Sequence, residues 1–213
     1  METKLELINF WKKNFSFKDN ELSAFNSIER ENFIPKQFQG KAYLDSPLPL
    51  LRGKTISQPT TVMIMTGALE LKEGDKVFEV GTGSGYQSAI LSKLVGPKGK
   101  VISTEVIPEL VKFAKKNLEK SGAKNVDVHE AEGSRGLEFE APFDKIIITA
   151  GCKELPEPLI TQLKIGGIIV APVGSREEQV MIKGIKMENG RLEVEFLGGF
   201  LFTPMYGKYG FEM

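Results

Sequence analysis

The stretch that decides the fold is Asp75-Lys76-Val77-Phe78-Glu79-Val80-Gly81-Thr82-Gly83-Ser84-Gly85-Tyr86-Gln87-Ser88-Ala89-Ile90-Leu91. Its first part, from Val77 to Val80, is an apolar run with one acid, which predicts a short buried strand. Three glycines follow at alternate positions, and an apolar run with helical spacing begins at Tyr86. A strand, a glycine turn and a helix together form the phosphate- or nucleoside-binding corner of an α/β sheet, because glycine lets a ligand approach the backbone closely.

The spacing of the glycines separates two classes of ligand. A dinucleotide fingerprint has the pattern Gly-x-Gly-x-x-Gly. Here the third glycine comes one residue early, at Gly85, and Tyr86 stands where a pyrophosphate needs glycine. A Gly-x-Gly-x-Gly pattern alone also occurs in ordinary tight turns. With the acid Glu79 two residues before Gly81, the stretch resembles motif I of the class I S-adenosylmethionine methyltransferases.

Length and composition exclude several classes of protein. The 213 residues suit one domain with a good-sized core, and 28 basic residues balance 28 acidic ones. A neutral chain is atypical of a dedicated nucleic-acid binder, so we expect no nucleic-acid partner. The single cysteine and single histidine argue against disulfides and a His/Cys metal site, and favour a reducing cytoplasm. Without a long apolar run or a signal-peptide core, we expect no membrane association.

From about residue 59 to residue 173 the chain alternates between helices and strands. Strands are predicted at 77–80, 101–104, 126–129, 143–149 and 168–173, and helices at 59–71, 86–95, 108–121 and 158–164. Alternating βα units predict a doubly wound, mostly parallel sheet of the Rossmann-like class. Within a single domain over 1–213, residues 1–58 are expected to form N-terminal helices and a substrate loop, 59–174 the cofactor-binding core and 175–213 C-terminal antiparallel strands.

The C-terminal part breaks the βα alternation. Two runs, 178–186 and 192–197, flank Asn189-Gly190, which is a strong hairpin signal. Residues 200–205 are expected to pair as a further strand. The apolar but irregular segment 33–59 is expected to form an ordered loop packed against the domain, because it contains too many apolar residues for disorder.

Acidic residues follow the predicted strands where a bound nucleoside would lie. Glu105 comes at the tip of the second strand, and a carboxylate there accepts hydrogen bonds from both hydroxyls of a ribose. Glu132-Gly133 follows the third strand, where a carboxylate accepts from an adenine amino group. Glu79 is expected either to brace the glycine-loop amides or to meet the amino group of a cofactor's amino-acid end. The alternative for Glu105 and Glu132 is that each is a solvated surface acid.

Three other residues have competing interpretations. Ser57 precedes Pro59, and serine is a favoured N-cap, so residue chemistry alone favours capping of the helix that begins there. Cys152 follows the fourth strand, but no histidine is near it in sequence, which favours a buried small side chain over a nucleophile. His129 lies inside a predicted strand and is expected to be structural.

Motifs along nearly the whole chain, from about residue 20 to 206, resemble the protein-L-isoaspartate O-methyltransferases. The residues that carry the resemblance are Phe33-Ile34-Pro35, Pro47-Leu48-Pro49, Thr55-Ile56-Ser57-Gln58-Pro59, Glu79 through Gln87, Gln162-Leu163-Lys164, Ala171-Pro172-Val173-Gly174 and Phe202-Thr203-Pro204-Met205. The Thr-Ile-Ser-Gln-Pro segment is the specific part, because methyltransferases in general lack it.

The resemblance implies an activity, a cofactor and a set of site residues. The family methylates the free α-carboxylate of isoaspartyl residues, which arise as proteins age, with S-adenosyl-L-methionine as the methyl donor. Ser57 matches the active-site serine, which favours a catalytic role over a cap. The residues expected to bind the cofactor are Glu79, Gly81, Thr82, Gly83, Ser84, Gly85, Gln87, Glu105, Val106, Glu132, Gly133 and Thr149. Those expected to bind substrate are Thr55, Ile56 and Gln58. The expected partners are isoaspartyl proteins and peptides, and we expect a monomer.

Two departures from the family pattern keep other functions open. The usual Ile-Gly-x-Gly-Gln-Thr is Leu50-Leu51-Arg52-Gly53-Lys54-Thr55 here, and the usual Gly-Asp-Gly at the adenine is Ala131-Glu132-Gly133. One alternative is therefore a methyltransferase of the same fold that acts on a small molecule or RNA. The other is a non-catalytic module that binds S-adenosylmethionine or a partner.

Overall fold

The computed structural model describes residues 3–212. The helices are α1 (Lys4–Asn14), α2 (Asp19–Ser27), α3 (Pro59–Ala68), α4 (Tyr86–Val95), α5 (Pro108–Ser121) and α6 (Glu157–Gln162). The strands are β1 (Leu48–Pro49), β2 (Thr55–Ile56), β3 (Lys76–Val80), β4 (Lys100–Glu105), β5 (Val126–Glu130), β6 (Phe143–Ile148), β7 (Leu163–Gly174), β8 (Gln179–Lys186) and β9 (Leu192–Phe200).

Seven of these strands form one twisted sheet in the order β5-β4-β3-β6-β7-β8-β9. The first five run parallel, and β8 and β9 are antiparallel to their neighbours. From β3 the chain adds β4 and β5 on one side and β6 and β7 on the other. The strand order therefore reverses between β3 and β6, and the crevice of the sheet lies there, beyond the carboxyl ends of the parallel strands. The predicted doubly wound sheet with antiparallel strands at one edge is confirmed.

Apolar side chains cover both faces of the central strands, which explains why these strands are nearly continuous in hydrophobicity. Val77, Phe78 and Ile147 are fully buried. Phe78 stacks on Phe143 with ring centroids 4.8 Å apart. The aromatic residues near the N-terminus also pack among helices, with Trp11 4.6 Å from the Phe25 ring. They are therefore packing residues and leave the carboxyl ends of the strands as the place for a site.

Several boundaries differ from the sequence prediction: the helix predicted over 59–71 ends at Ala68, and the fifth strand, predicted at 168–173, begins at Leu163. The helix expected to reach Lys164 ends at Gln162, because Leu163 is already extended and pairs with Phe143 before a bulge in β7. The further strand expected at 200–205 is also wrong. β9 already extends to Phe200, and Pro204 has no N–H to continue a ladder, so this segment makes a single parallel bridge to Gly151.

The segment between α2 and α3 is ordered, as expected, and a buried hydrogen-bond chain fixes it. Trp11 Nε1 donates to Thr60 Oγ1 over 2.8 Å, and Thr60 Oγ1 donates to Asp45 over 2.7 Å. Asp45 also accepts from the Thr60 amide over 2.9 Å, which satisfies a free N–H in the first turn of α3. Asp45 therefore caps α3 from a distant part of the chain.

We predict that Asp45→Ala lowers the free energy of unfolding by about 1–2 kcal/mol, because it removes the cap of α3 and one end of this chain. Asp19→Ala is the matched control, since Asp19 is an exposed acid in the first turn of α2. Urea denaturation measures both variants. An equal loss in the two would contradict the capping role of Asp45.

Candidate active site

A cleft of about 930 Å³, counted to its open mouth, lies beyond the carboxyl ends of the parallel strands. Three parts of the chain form its wall: the segment before α3 with α3 itself, the ends of β3, β4, β5 and β6 with the residues that follow them, and the C-terminal segment after β9. The residues that line it are Lys54–Ser57, Val62, Met65, Val80–Ser84, Tyr86, Gln87, Thr104–Val106, Leu110, Ala131–Gly133, Thr149, Ala150 and Thr203–Tyr206.

The glycine turn begins directly after β3, at Gly81, where the structure has no room for a side chain. Gly81 has φ 96°, and a Cβ there would lie 2.6 Å from the Thr149 Oγ1. Thr149 is fixed at this place because its hydroxyl donates to the carbonyls of Val80, over 3.0 Å, and of Gly81, over 2.5 Å. The turn from β3 therefore lies directly against the end of β6, and its backbone forms the floor of the cleft.

Glu105 holds the same turn from the other side. Its carboxylate accepts from the Gly83 amide over 2.9 Å, and from the amides of Val106 and Ile107 over 2.9 and 3.0 Å. The side chain is 8% exposed. The carboxylate is thus fixed at the tip of β4, on the wall of the cleft, by three backbone donors.

Glu132 and Gly133 form the wall after β5. The Glu132 carboxylate accepts from the Ser134 hydroxyl and pairs with Arg135 over 3.1 Å. A Cβ on Gly133 would lie 2.7 Å from Val80 Cγ1, so only glycine fits between β3 and β4 at this place. The Glu132 carboxylate lies beside Gly207, where a Cβ would be 2.7 Å from Glu132 Oε1.

Ser57 lies on the cleft wall and does not cap α3. The N-cap position is Gln58, and no side chain of that position makes a capping hydrogen bond. Within the described residues 3–212, the Ser57 hydroxyl has no protein hydrogen-bond partner, whereas its carbonyl accepts from Arg30 Nη2 over 2.7 Å. The cap is supplied by Asp45, which leaves the Ser57 hydroxyl available to a ligand in the cleft.

Arg30 is a functional candidate that sequence reasoning missed. Its side chain is fully buried, its Nε donates to the Ala42 carbonyl over 2.8 Å, and its guanidinium lies 5.0 Å from the centre of the Tyr86 ring. It therefore ties Ser57 to the start of α4. The one clue in the sequence is an arginine between the apolar residues Ile28 and Phe33, and such a position is more often exposed.

Glu79 is completely buried beneath the glycine turn, and it does not line the cleft. Its carboxylate accepts from the Ser88 and Ser103 hydroxyls, the latter over 2.7 Å, and Ser103 in turn contacts the Thr82 hydroxyl over 2.6 Å. Burial raises the pKa of Glu79 to about 7, against the lowering effect of the two serines. The expected brace to the loop amides is made by Glu105 instead, and a contact of Glu79 with a cofactor's amino group stays a prediction.

Two more of the predicted residues lie outside the cleft wall. Gly85, with φ 85°, occupies the N-cap position of α4 and packs beside Leu118 and Ala114. Gln58 accepts the first backbone bond of α3, from the Val62 amide over 3.1 Å. All the remaining predicted site residues line the cleft, and their roles toward ligands stay predictions. The wall also includes Lys54 and the C-terminal segment from Thr203 to Tyr206, which were not predicted as site residues.

Cys152 and His129 lie away from the cleft. Cys152 is fully buried, its thiol contacts the Pro172 carbonyl over 3.3 Å, and burial raises its pKa to about 12, which makes it a packing residue. His129 lies in β5 with its ring 6.1 Å from that of Phe139.

Residues 3–212 contain no cluster of three acids, cysteines or histidines with the geometry of a metal site. Among the helices of the described chain, none is both long and apolar enough to cross a membrane.

Comparison with known families identifies the group to which this sequence belongs. A family model described as protein-L-isoaspartate(D-aspartate) O-methyltransferase matches residues 2–210. The chain belongs to the protein-L-isoaspartate(D-aspartate) O-methyltransferase family. The family predicted from the Thr-Ile-Ser-Gln-Pro segment and the glycine turn is therefore confirmed.

Curated relatives in this family include proteins from Methanoculleus marisnigri and Pyrococcus abyssi. A protein-L-isoaspartate O-methyltransferase of Methanoculleus marisnigri is 45% identical over 191 residues, which cover 90% of this chain and 85% of the relative. One from Pyrococcus abyssi is 42% identical over 217 residues and covers 98% of this chain and 100% of its own length.

Solved structures of the family share the fold. One protein-L-isoaspartate O-methyltransferase superposes with a TM-score of 0.87 at 29% identity, covering 98% of this chain and 67% of its own. A second, from Plasmodium falciparum, was crystallised with S-adenosyl-L-homocysteine and superposes with a TM-score of 0.83 at 24% identity, covering 97% and 99% of the two chains. The predicted class I methyltransferase fold is confirmed.

The burial of Glu79 generates a prediction about pH and stability. Its pKa is about 7 in the folded protein and about 4.5 when exposed, so folding favours the protonated form. The contribution of the buried, protonated Glu79 to the free energy of unfolding is fully present below about pH 4.5, and it is lost as the pH rises through 7. We predict that Glu79→Gln raises the free energy of unfolding at pH 8 by about 3 kcal/mol relative to the wild type.

Denaturation from pH 5 to 8 measures this difference, which should shrink toward zero at the acidic end. Two results would contradict a raised pKa of Glu79. One is a Gln variant that is less stable than the wild type at pH 8. The other is a difference in the free energy of unfolding that is the same at every pH.

Proposed function

We propose that this protein transfers the methyl group of S-adenosyl-L-methionine to the free α-carboxylate of L-isoaspartyl residues in aged proteins and peptides. The observation that carries the proposal is the position of Ser57. Its hydroxyl, which no protein group within residues 3–212 engages, lies on the wall of the same cleft as the fixed carboxylates of Glu105 and Glu132. Membership of the isoaspartate methyltransferase family, over nearly the whole chain, supports the substrate class.

The residues of the cleft fit the cofactor. Glu105 is fixed with its carboxylate at the tip of β4, where it would accept hydrogen bonds from the ribose hydroxyls. Glu132 and the backbone at Gly133 would hold the adenine, and Gly81, Thr82 and Thr149 the amino-acid end. The other cleft residues expected to touch the cofactor are Gly83, Ser84, Gln87 and Val106. The wall combines apolar residues such as Val80 and Leu110 with these few polar groups, as is usual for small-molecule sites.

The cofactor, when bound, supplies an electrophilic methyl group. The accepting α-carboxylate has an ordinary pKa of roughly 3.5, so it is ionised at neutral pH and needs no general base. The task left to the protein is positioning, which lowers a barrier by about 7–11 kcal/mol when the reacting atoms are well oriented. We assign this task to Ser57, whose hydroxyl donates to one oxygen of the carboxylate and leaves the other free to react.

The backbone around Ser57 is built to keep that hydroxyl in place. Arg30 holds the Ser57 carbonyl over 2.7 Å, and Pro59 starts α3 two residues later. On the other side, β2 pairs antiparallel with β1, through Thr55 and Pro49. Thr55 is exposed and Ile56 is buried, so the Thr55 side of β2 is the one that meets an extended substrate. We propose that Thr55, Ile56 and Gln58 position the peptide backbone there.

Three further expectations are proposals of the same kind. We propose that the protein acts as a monomer, since a single chain brings Ser57, Glu105 and Glu132 to one cleft without help from a partner. The zero formal net charge favours a protein or peptide substrate over a nucleic acid. The buried, unpaired Cys152 fits work in the reducing cytoplasm.

The proposed reaction is tested with methyl-labelled S-adenosylmethionine and two peptides that are identical except for isoaspartate or aspartate at one position. We predict a base-labile methyl ester on the isoaspartyl peptide alone. If neither peptide is methylated while calorimetry detects cofactor binding, the proposed acceptor is wrong.

We predict that Ser57→Ala lowers kcat on the isoaspartyl peptide by roughly 100-fold, because the accepting carboxylate loses its positioning donor. The affinity for S-adenosylmethionine, measured by calorimetry, should stay within about twofold of the wild type. Ser16→Ala is the matched control, since Ser16 is exposed and distant in sequence from the site. Turnover that survives in Ser57→Ala would remove Ser57 from the reaction.

A further inference from the structure

The cleft contains one cationic side chain among its described lining residues, Lys54. The two acidic residues that line the cleft already have hydrogen-bond partners. Glu105 accepts from backbone amides, and Glu132 contacts Ser134 and Arg135. Within residues 3–212, neither acid of the cleft forms an ion pair with Lys54.

Lys54 is held by an aromatic ring and not by an acid. Its Nζ lies 4.3 Å from the centre of the Tyr206 ring, and none of the ion pairs within residues 3–212 includes it. The nearby Arg52 differs, because it is paired with Glu109. A cation–π contact fixes the place of an ammonium group and leaves its N–H donors available for other partners. Lys54 thus presents unused hydrogen-bond donors to the cleft.

The position of Lys54 relative to Ser57 limits what it can bind. The two residues are three positions apart, so their Cα atoms lie at most about 10 Å apart, which equals the span of about three residues of an extended peptide. Tyr206 precedes Gly207, which lies beside Glu132, so the Lys54–Tyr206 pair stands near the wall proposed for the adenine. The amino-acid end of the cofactor is proposed to lie elsewhere, against Gly81 and Thr149.

We propose that Lys54, held by Tyr206, is a specificity-determining residue that binds a carboxylate side chain of the substrate within three residues of the isoaspartyl residue. The inference rests on the proposed function. It gives the protein a preference for acidic segments of aged proteins over basic ones. The accepting carboxylate itself belongs to Ser57, since an ammonium ion paired with it would reduce the negative charge that attacks the methyl group.

Three isoaspartyl peptides test this specificity, with Glu, Gln or Lys placed two residues to either side of the isoaspartate. For the wild type we expect kcat/KM to fall in the order Glu, Gln, Lys, with about a fivefold difference between Glu and Lys peptides, as one partly exposed ion pair provides. The difference should shrink in 0.5 M salt. Lys54→Gln should bring the three peptides within about twofold of one another. Lys208→Gln is the matched control, because it removes an exposed positive charge two residues after Tyr206. This variant should keep the wild-type order of the three peptides.

Distinct results would overturn the inference. If the wild type does not show the order Glu, Gln, Lys in kcat/KM, or if Lys54→Gln still shows it, Lys54 does not bind an acidic side chain of the substrate. A marked loss of S-adenosylmethionine affinity in Lys54→Gln, measured by calorimetry, assigns Lys54 to the cofactor. An equal loss of kcat on all three peptides assigns it to the accepting carboxylate. Methylation of the Gln peptide tests the proposed function separately, and its absence would reject that function as well.

Discussion

The cleft depends on two glycines, Gly81 and Gly133, which let the chain pass close to the ends of neighbouring strands. At Gly81 a Cβ would meet the Thr149 hydroxyl at 2.6 Å, and at Gly133 it would meet Val80 at 2.7 Å. Because the backbone is bare at these two places, β3 can turn away from the sheet between its neighbours β4 and β6. The loops after these strands then close around one cavity, with the amides of the glycine turn on its floor and the carboxylate of Glu105 locked against Gly83.

The second requirement is that the segment before α3 lies over this cavity with Ser57 in a fixed orientation. Two interactions from outside the segment achieve it. Asp45 caps α3 and so releases the serine from that task, and Arg30 holds the serine carbonyl from a fully buried position against Tyr86. Tyr86 begins the helix that follows the glycine turn, so the same aromatic ring supports both the cofactor-binding part and the reacting part of the cleft. The buried arginine thus couples two elements that are far apart in sequence.

Much of this arrangement could be predicted from the sequence. The alternation of apolar runs, with glycine turns after them, predicted the parallel sheet and its antiparallel edge, and the strand ends predicted which acids would meet at one edge. The roles of the acids could not be separated in the same way. Glu79 lies at the end of β3, just before the glycine turn, and Glu105 lies at the end of the next strand, β4. The register between β3 and β4 decides that Glu105 reaches the Gly83 amide, while Glu79 contacts Ser88 and Ser103. Arg30 and the Lys54–Tyr206 contact depend on tertiary packing between segments 27 and 152 residues apart, which no local pattern encodes.

The central claim is that one cavity holds the adenosyl cofactor along Glu105 and Glu132 and presents Ser57 to the acceptor. A crystal structure of the protein with S-adenosyl-L-homocysteine tests it most directly. The account predicts ribose hydroxyls within hydrogen-bond distance of Glu105, the adenine at Glu132 and Gly133, and the Ser57 hydroxyl facing the sulfur side of the same cavity. A cofactor bound elsewhere, or a Ser57 hydroxyl turned away from that cavity into contact with the protein, would contradict it.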